Sequence, residues 1–442
     1  MAPAVSVSSA RLRPAALDLD LSLTRLVVRA PELRRSLLAW WEVHGRHEIP
    51  WKLHPNGSRP ADGEVLDPYG VFVAEVMLQQ TQLAVVLPYW RRWMVAFPDL
   101  DALAAADEQR LLLLWQGLGY YSRARRLHQA ARQLLSGPGE DRKPALNQSP
   151  RLGPNSGVPA APDLGGFGLW PPTLALWQAL PGLGRSTAAS ILSSAFDQPE
   201  AILDGNVKRV LARLIASPAP PARQLAVFWR LSETLLDRRR PRSFNQAVMD
   251  LGATVCTPRN PRCEVCPWRG WCAAYAAGDP ARYPVKEAPR TVPFQVIGVG
   301  VVFDNAGRVL IDQRLEEGLL GGLWEFPGGK QEEGEVITAT IERELAEELA
   351  IAVEVREELI SLEHAYSHKR LRFVVHLCRW IAGEPQPLAS QQVRWVEPAE
   401  LDAYPFPAAN ARIIAALRLR LAELAAPAGT GQAQSGGSRS AA

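Results

Sequence analysis

The spacing of apolar residues changes period once along this chain, and that change limits the folds open to it. From Glu32 to about Asp250 apolar positions recur at helical spacing, as in Leu33, Leu37, Leu38 and Trp41, and no strand signal of any strength appears. After a proline-rich join from Tyr283 to Pro293, strand patterns take over: QVIGVGVVF and RVLIDQR flank an Asn305-Ala306-Gly307 turn. Such a chain should build an all-α domain first and an α+β domain second, since a helix-period pattern does not settle as a strand. At 442 residues there is length for both to bury their own cores. No run of about 18 apolar residues suggests a membrane span, so no membrane partner is expected.

Composition divides the chain further. A disordered extension is expected at 1–31, an all-α domain at 32–255 with a Pro-, Gly-, Ser- and Asn-rich insertion at 137–172, and a cysteine loop at 256–275. A linker at 276–291, an α+β domain at 292–422 and a disordered tail at 423–442 complete the division. The α+β domain should hold a helix from about Glu335 to Glu348, strands near 357–364, 371–380 and 392–396, and a final helix from about Ala408. Residues 1–290 carry 35 Lys and Arg against 25 Asp and Glu, whereas 291–442 carry 14 against 21. A basic body suits a polyanion, and an acidic C-terminal part suits a metal ion. The first thirty residues lack the apolar core of a secretory signal, so a cytoplasmic location is expected, with organelle targeting left open.

Two stretches of the helical part carry chemistry. Leu180-Pro181-Gly182-Leu183-Gly184 is a glycine-punctuated turn feeding a small-residue helix from about Ser186 to Phe196. It should expose N–H groups at a helix N-terminus, where an anion such as a nucleic-acid phosphate binds. Asp204 lies where a second helix should start, as a natural N-cap that stays charged and stabilises a cation. Glu75 is the single charge in the apolar VFVAEVML run, so burial should raise its pKa and suit it to general acid work. A place on a wet stripe or near the helix start would explain it as well. One carboxyl pushed toward protonation beside another kept ionised is an arrangement that cleaves glycosidic bonds.

Four of the five cysteines, Cys256, Cys263, Cys266 and Cys272, crowd into one loop, which marks ligands rather than disulfides and implies a reducing compartment. Four thiolates suit a tetrahedral zinc or an iron–sulfur cluster, although the spacing lacks the paired short knuckles of structural zinc. Arg259, Arg262 and Arg269 decorate the loop against the single acid Glu264, as a surface against DNA backbone would be. Cys378 stands alone in an apolar strand and reads as core.

From about Glu32 to Cys272 the chain resembles the helix-hairpin-helix DNA glycosylases, and within them the MutY adenine glycosylases. The matching stretches are Pro50-Trp51, AEVMLQQTQ, WQGLGYYSRAR, LPGLGRSTA, ILDGNVKRVLAR and FNQAVMDLGATVCT. The resemblance implies a monofunctional glycosylase that hydrolyses the N-glycosidic bond of adenine flipped from double-stranded DNA, at A:8-oxoguanine or A:G mispairs, as a monomer. It implies a [4Fe–4S] cluster on the four cysteines. Glu75 would protonate adenine and then assist water, while Asp204, helped by Asn206, would stabilise the sugar cation. Gln80 and Tyr120 would wedge into the base stack, with core packing as their alternative. Gly182, Gly184, Ser186 and Lys208 would face DNA. Ser186 stands where the related endonuclease III has a lysine, and a hydroxyl cannot form the Schiff base of strand cleavage. Lys208 is either a phosphate contact or an amine that traps product slowly.

Residues 292–420 resemble the Nudix fold, used in MutY proteins to read 8-oxoguanine. Ser367 and His368 match the lesion-reading loop. The box GKQEEGEVITATIERELAEELAI keeps the hydrolase pattern nearly whole, with Glu344, Glu347 and Glu348 on one helix face fit for Mg²⁺. LWEFPGGK and FPAAN look more like MutT, which hydrolyses 8-oxo-dGTP, and Asn410 matches its base-reading asparagine. Against hydrolysis, Ala350 replaces the usual glycine and no acid lies between Glu384 and Glu397.

Overall fold

The computed structural model describes residues 14–136, 170–287, 292–318, 320–365 and 369–425. The chain divides into two compact units, one of residues 1–106 and 123–289 and the other of 107–122 and 290–442. Most of the 137–172 insertion and of the expected C-terminal tail lie outside the described residues.

The first unit is built from α1 (Pro14–His44), α2 (Pro68–Met77), α3 (Leu83–Ala96) and α4 (Leu100–Ala104), then, beyond α5 (Glu108–Trp115) of the second unit, α6 (Ser122–Ser136). It continues with α7 (Leu174–Gln178), α8 (Arg185–Phe196), α9 (Gly205–Leu214), α10 (Leu225–Leu235), α11 (Pro241–Thr254) and α12 (Ala273–Ala276). Aspartates fix several starts: Asp67 accepts from the Tyr69 and Gly70 amides before α2, and Asp99 from Ala102 before α4.

One expectation needs correction. The chain is helical from Pro14, whereas a disordered extension was expected through residue 31. Leu26 and Ala30 are buried in the same core as Leu33, Leu37 and Trp41, so the apolar stripe runs on across Pro31. An interior proline costs about 3 kcal/mol, and burying large side chains returns about 1.5–3 kcal/mol each. That core joins α1 to α9, α10 and α11 through Val207, Leu211, Phe228, Leu231 and Leu251.

The second unit contains a seven-stranded mixed sheet. Its strands are β1 (Phe294–Phe303), β2 (Val309–Gln313), β3 (Trp324–Glu325), β4 (Gly328–Lys330), β5 (Ala352–Ala365), β6 (Arg370–Ala382) and β7 (Gln392–Val396). β1 and β6 pair in parallel and the other pairs are antiparallel. Helix α13 (Ile337–Leu349) packs Ile341, Leu345 and Leu349 on one part of the sheet with Cys378, while α14 (Ala408–Ala425) packs Ile413 and Leu417 on another. Cys378 is therefore core, as its apolar setting suggested.

Candidate active site

A cavity of about 710 Å³ opens in the helical unit, walled by Lys52, Glu75, Ser190, Asp204, Asn206 and Arg209 among others. Glu75 reaches it from α2 and Ser190 from α8, which packs on α2; Asp204 stands at the start of α9, which packs on α11. The two carboxylates chosen from sequence thus share one chamber. Burial pushes the Glu75 carboxyl up to about 7, with the Asp204 charge adding to the rise. The Ser190 hydroxyl and the Lys52 ammonium pull the other way. The Ser190 Oγ itself is buried and meets no partner of proper hydrogen-bond geometry among the described residues.

Lys52 was not singled out from sequence, although it follows the quoted Pro50-Trp51. Desolvation in the cavity wall lowers its pKa to about 8 against the pull of Asp250, 3.7 Å away. Asp250 is fully buried and also receives the Trp41 indole and the Arg46 guanidinium and amide. It is the deep anchor of this wall.

Asp204 caps α9 as expected, its Oδ1 accepting from the Val207 amide at 2.7 Å and its Oδ2 from the Asn206 Nδ2 at 3.0 Å. Asn206 is held in turn by Arg209, whose Nη2 donates to the Asn206 Oδ1 at 2.8 Å. The same guanidinium donates to the carbonyls of Gly252 at 2.7 Å and Cys256 at 2.8 Å. A chain of polar contacts therefore links a cluster cysteine to the capping carboxylate. Only glycine fits at 252, where a Cβ would stand 2.7 Å from the Asn206 Cβ.

In the hairpin, Gly182 takes φ 80° and needs its glycine. Gly184 does not: it N-caps α8 at φ −76°, an extended conformation open to any residue. No side chain caps α8, so its first amides remain available to an anion. Ser186 lines the cavity. Its Oγ accepts from the Leu203 amide at 3.0 Å and fixes the segment leading into Asp204. Lys208 is half-buried and does not line the cavity, whose lysine among the described residues is Lys52.

Gln80 and Tyr120 are both exposed and both left-handed, at φ 58° and 47°. Core packing, the alternative for each, does not describe them.

Cys256, Cys263, Cys266 and Cys272 line one small cavity with Arg213, whose Nη1 donates to the Cys256 Sγ at 3.3 Å. Burial pushes the Cys266 thiol up to about 12, and the charges of the other three add to the rise. Four converging sulfurs that resist ionising together need a cationic centre, so the donor set fits an iron–sulfur group. Among the described residues no three His, Cys, Asp or Glu side chains gather closely enough to hold a single metal ion, the box carboxylates included. The fully buried Trp268 anchors the loop, its Nε1 donating to the Leu33 carbonyl at 2.9 Å.

In the sheet unit, a pocket of about 220 Å³ is lined by Arg314, Glu325, Phe326, Lys369 and Asn410 among others. The Asn410 Oδ1 accepts from the Phe326 amide at 3.3 Å. Ser367 and His368 lie outside the described residues. The box carboxylates are not equivalent. Glu344 and Glu347 both pair with Arg343, which also holds Glu335 down at about 2. Glu348 is pushed up to about 7 by burial and by Glu344 and Glu325. Asp312 and Glu325, opposed across β2 and β3, complete the acidic group and were not singled out from sequence. Ala350 takes φ 55°, the conformation that the usual glycine would favour there.

Three family descriptions match this chain: the HhH-GPD superfamily of base excision DNA repair proteins at 73–228, the iron-sulfur binding domain of endonuclease III at 256–272, and the NUDIX domain at 298–416. The adenine DNA glycosylase of Mus musculus is 34% identical over 82% of this chain and 73% of that protein. That of Homo sapiens is 32% identical over 86% and 72%, and that of Schizosaccharomyces pombe 29% over 87% and 89%. Among solved structures, a thermostable thymine-DNA glycosylase overlays with a TM-score of 0.43 at 22% identity, covering 56% of this chain and 97% of that one. A MutT protein from Methanosarcina mazei Go1 gives 0.28 at 18%, covering 30% and 99%. Helices, cysteine loop and sheet together define an iron–sulfur DNA glycosylase of the HhH-GPD superfamily followed by a Nudix domain. The long relatives narrow the class: the chain belongs to the adenine DNA glycosylase family, hydrolases of N-glycosyl bonds that act in base excision repair.

Proposed function

We propose that the protein excises adenine from A:8-oxoguanine and A:G mispairs in duplex DNA, as a monomer working on the chromosome, and leaves strand cleavage to other enzymes. The observation that carries the reading is the shared chamber of Glu75 and Asp204, one carboxyl raised to about 7 and the other fixed as a cap. Glu75 gives its proton to the flipped adenine as the C1′–N9 bond breaks and the bonding electrons leave with the base. Asp204, oriented by Asn206, faces the sugar cation. Water then adds at C1′ and returns a proton to Glu75. The first-turn amides of α8 and Lys208 hold phosphates, and Gln80 and Tyr120 fill the gap left in the stack. The cysteine loop holds a [4Fe–4S] cluster, which when bound orders that loop. Single-turnover assays test the roles: Glu75→Gln and Asp204→Asn should each slow adenine release at least about a hundredfold with duplex affinity within about threefold. Release at the unaltered rate by either variant contradicts the assignment.

We further propose that the Asn410 pocket reads 8-oxoguanine, and that Ser367 and His368 take part in that recognition. A second reading, hydrolysis of 8-oxo-dGTP with Mg²⁺ at Glu344, Glu347 and Glu348, is favoured by one observation. The buried Asp312 Oδ1 beside Glu348 has no hydrogen-bond partner among the described residues, as a carboxylate awaiting a cation would not. Incubation with 8-oxo-dGTP and Mg²⁺ decides it, since absence of the monophosphate leaves only the reader.

A further inference from the structure

The turn between α2 and α3 holds Gln80 in a backbone conformation that only its surroundings can maintain. At φ 58° a residue with a side chain is strained, and this one is exposed with nothing buried to reward it. The holder is Arg123, in the first turn of α6 and 6% exposed. Its Nη1 donates to the carbonyls of Val76 at 3.2 Å, Met77 at 2.8 Å and Gln79 at 2.5 Å, and its Nη2 to the Thr81 Oγ1 at 3.1 Å. These acceptors stand on both sides of Gln80 in sequence. The Val76 carbonyl also accepts from the Gln79 amide at 3.3 Å, and a buried cation at this end of α2 supplies further donors to helix-end carbonyls and suits the helix dipole. Gln79 is tied separately, its Nε2 donating to the Gly182 carbonyl at 3.2 Å and the Thr187 Oγ1 at 3.3 Å. Both flanks of the turn are fastened, and the Gln80 side chain is what the turn presents.

We propose that Arg123 is a positioning residue for base extrusion: its fork locks the 78–81 turn so that Gln80 meets the duplex as a preset wedge. The proposal rests on the reading of Gln80 as that wedge. The wedge then pays no ordering cost on entering the stack. Lysine keeps the charge but cannot bracket the turn, because it lacks the planar fork.

The test uses the full chain and a duplex with 2-aminopurine at the target position, whose fluorescence rises on unstacking. Gln80→Ala should slow the rise, and Arg123→Lys should slow it about tenfold with affinity for undamaged duplex unchanged. The double variant should be no slower than Gln80→Ala alone, because the fork acts only through Gln80. Additive losses in the double variant overturn the proposal, as does a normal rise in Arg123→Lys beside a slow Gln80→Ala. A normal rise in Gln80→Ala overturns the wedge reading itself, and Arg123 then has nothing to act through. If Arg123→Lys loses the cluster absorbance or melts early, Thr81→Val replaces it. That variant removes the Arg123 bond to Thr81 together with the Thr81 Oγ1 bond to the Gln79 carbonyl at 3.4 Å; it should slow the rise in the same direction by less, and an unchanged rise there also overturns the proposal.

Discussion

At the scale of single residues, Glu75 carries the chemistry because of where α2 buries it. A carboxyl raised to about 7 is protonated below that pH and lost as an acid above it, so the excision rate should fall about tenfold per pH unit beyond about 7. Single-turnover rates between pH 5.5 and 9 check this. The linkage to stability has a definite sign. The folded carboxyl keeps a proton that the unfolded chain, at its ordinary 4.5, gives up. That contribution to stability is full below about 4.5 and is lost as pH rises to about 7. Glu75→Gln removes the penalty, so it should unfold later than the unaltered chain at pH 8, by at most roughly 3 kcal/mol, and gain nothing at pH 4.5. Denaturant titrations at the two pH values measure the difference. Glu75 was legible in the sequence as a lone charge in an apolar helix. Lys52 and Ser190 were not, since a lysine after a loop tryptophan and a serine among small residues acquire meaning only once the cavity wall is closed.

Among elements, the start of α9 is tied to the cysteine loop. Arg209 touches the Asn206 side chain and the Cys256 carbonyl together, so disorder in the loop reaches the capping carboxylate through three hydrogen bonds. Gly252→Ala tests the connection from the other side. Its Cβ would meet the Asn206 Cβ at 2.7 Å, forcing α9 and α11 apart. It should cost about 1–3 kcal/mol and slow excision more than it weakens DNA binding, read by thermal melting and single-turnover kinetics. The sequence foretold the helical hairpin, the cap and the cysteine loop because each is written in local spacing. It misled at α1, where the composition of the first thirty residues suggested disorder and long-range packing of Leu26 and Ala30 overrode it. It could not show the bond from the Leu203 amide to Ser186, a partner distant in sequence.

For the whole molecule, the switch of period near Val292 announced two architectures, and both are present. What the sequence could not divide was the segment 107–122, which groups with the sheet unit although it sits within the helical stretch of the chain. Its neighbours are set by contacts far along the chain, which no local pattern records. If the Asn410 pocket reads the oxidised base, Asn410→Ala should reduce the preference for adenine opposite 8-oxoguanine over guanine by about tenfold and leave the A:G rate alone. Competition between the two duplexes measures that ratio. The central claim, a glycosylase that stops at base removal, meets its most direct test on an A:8-oxoguanine duplex assayed with and without alkali. Free adenine with strand breaks appearing only after alkali is the predicted result; breaks without alkali, or no adenine released, would contradict it.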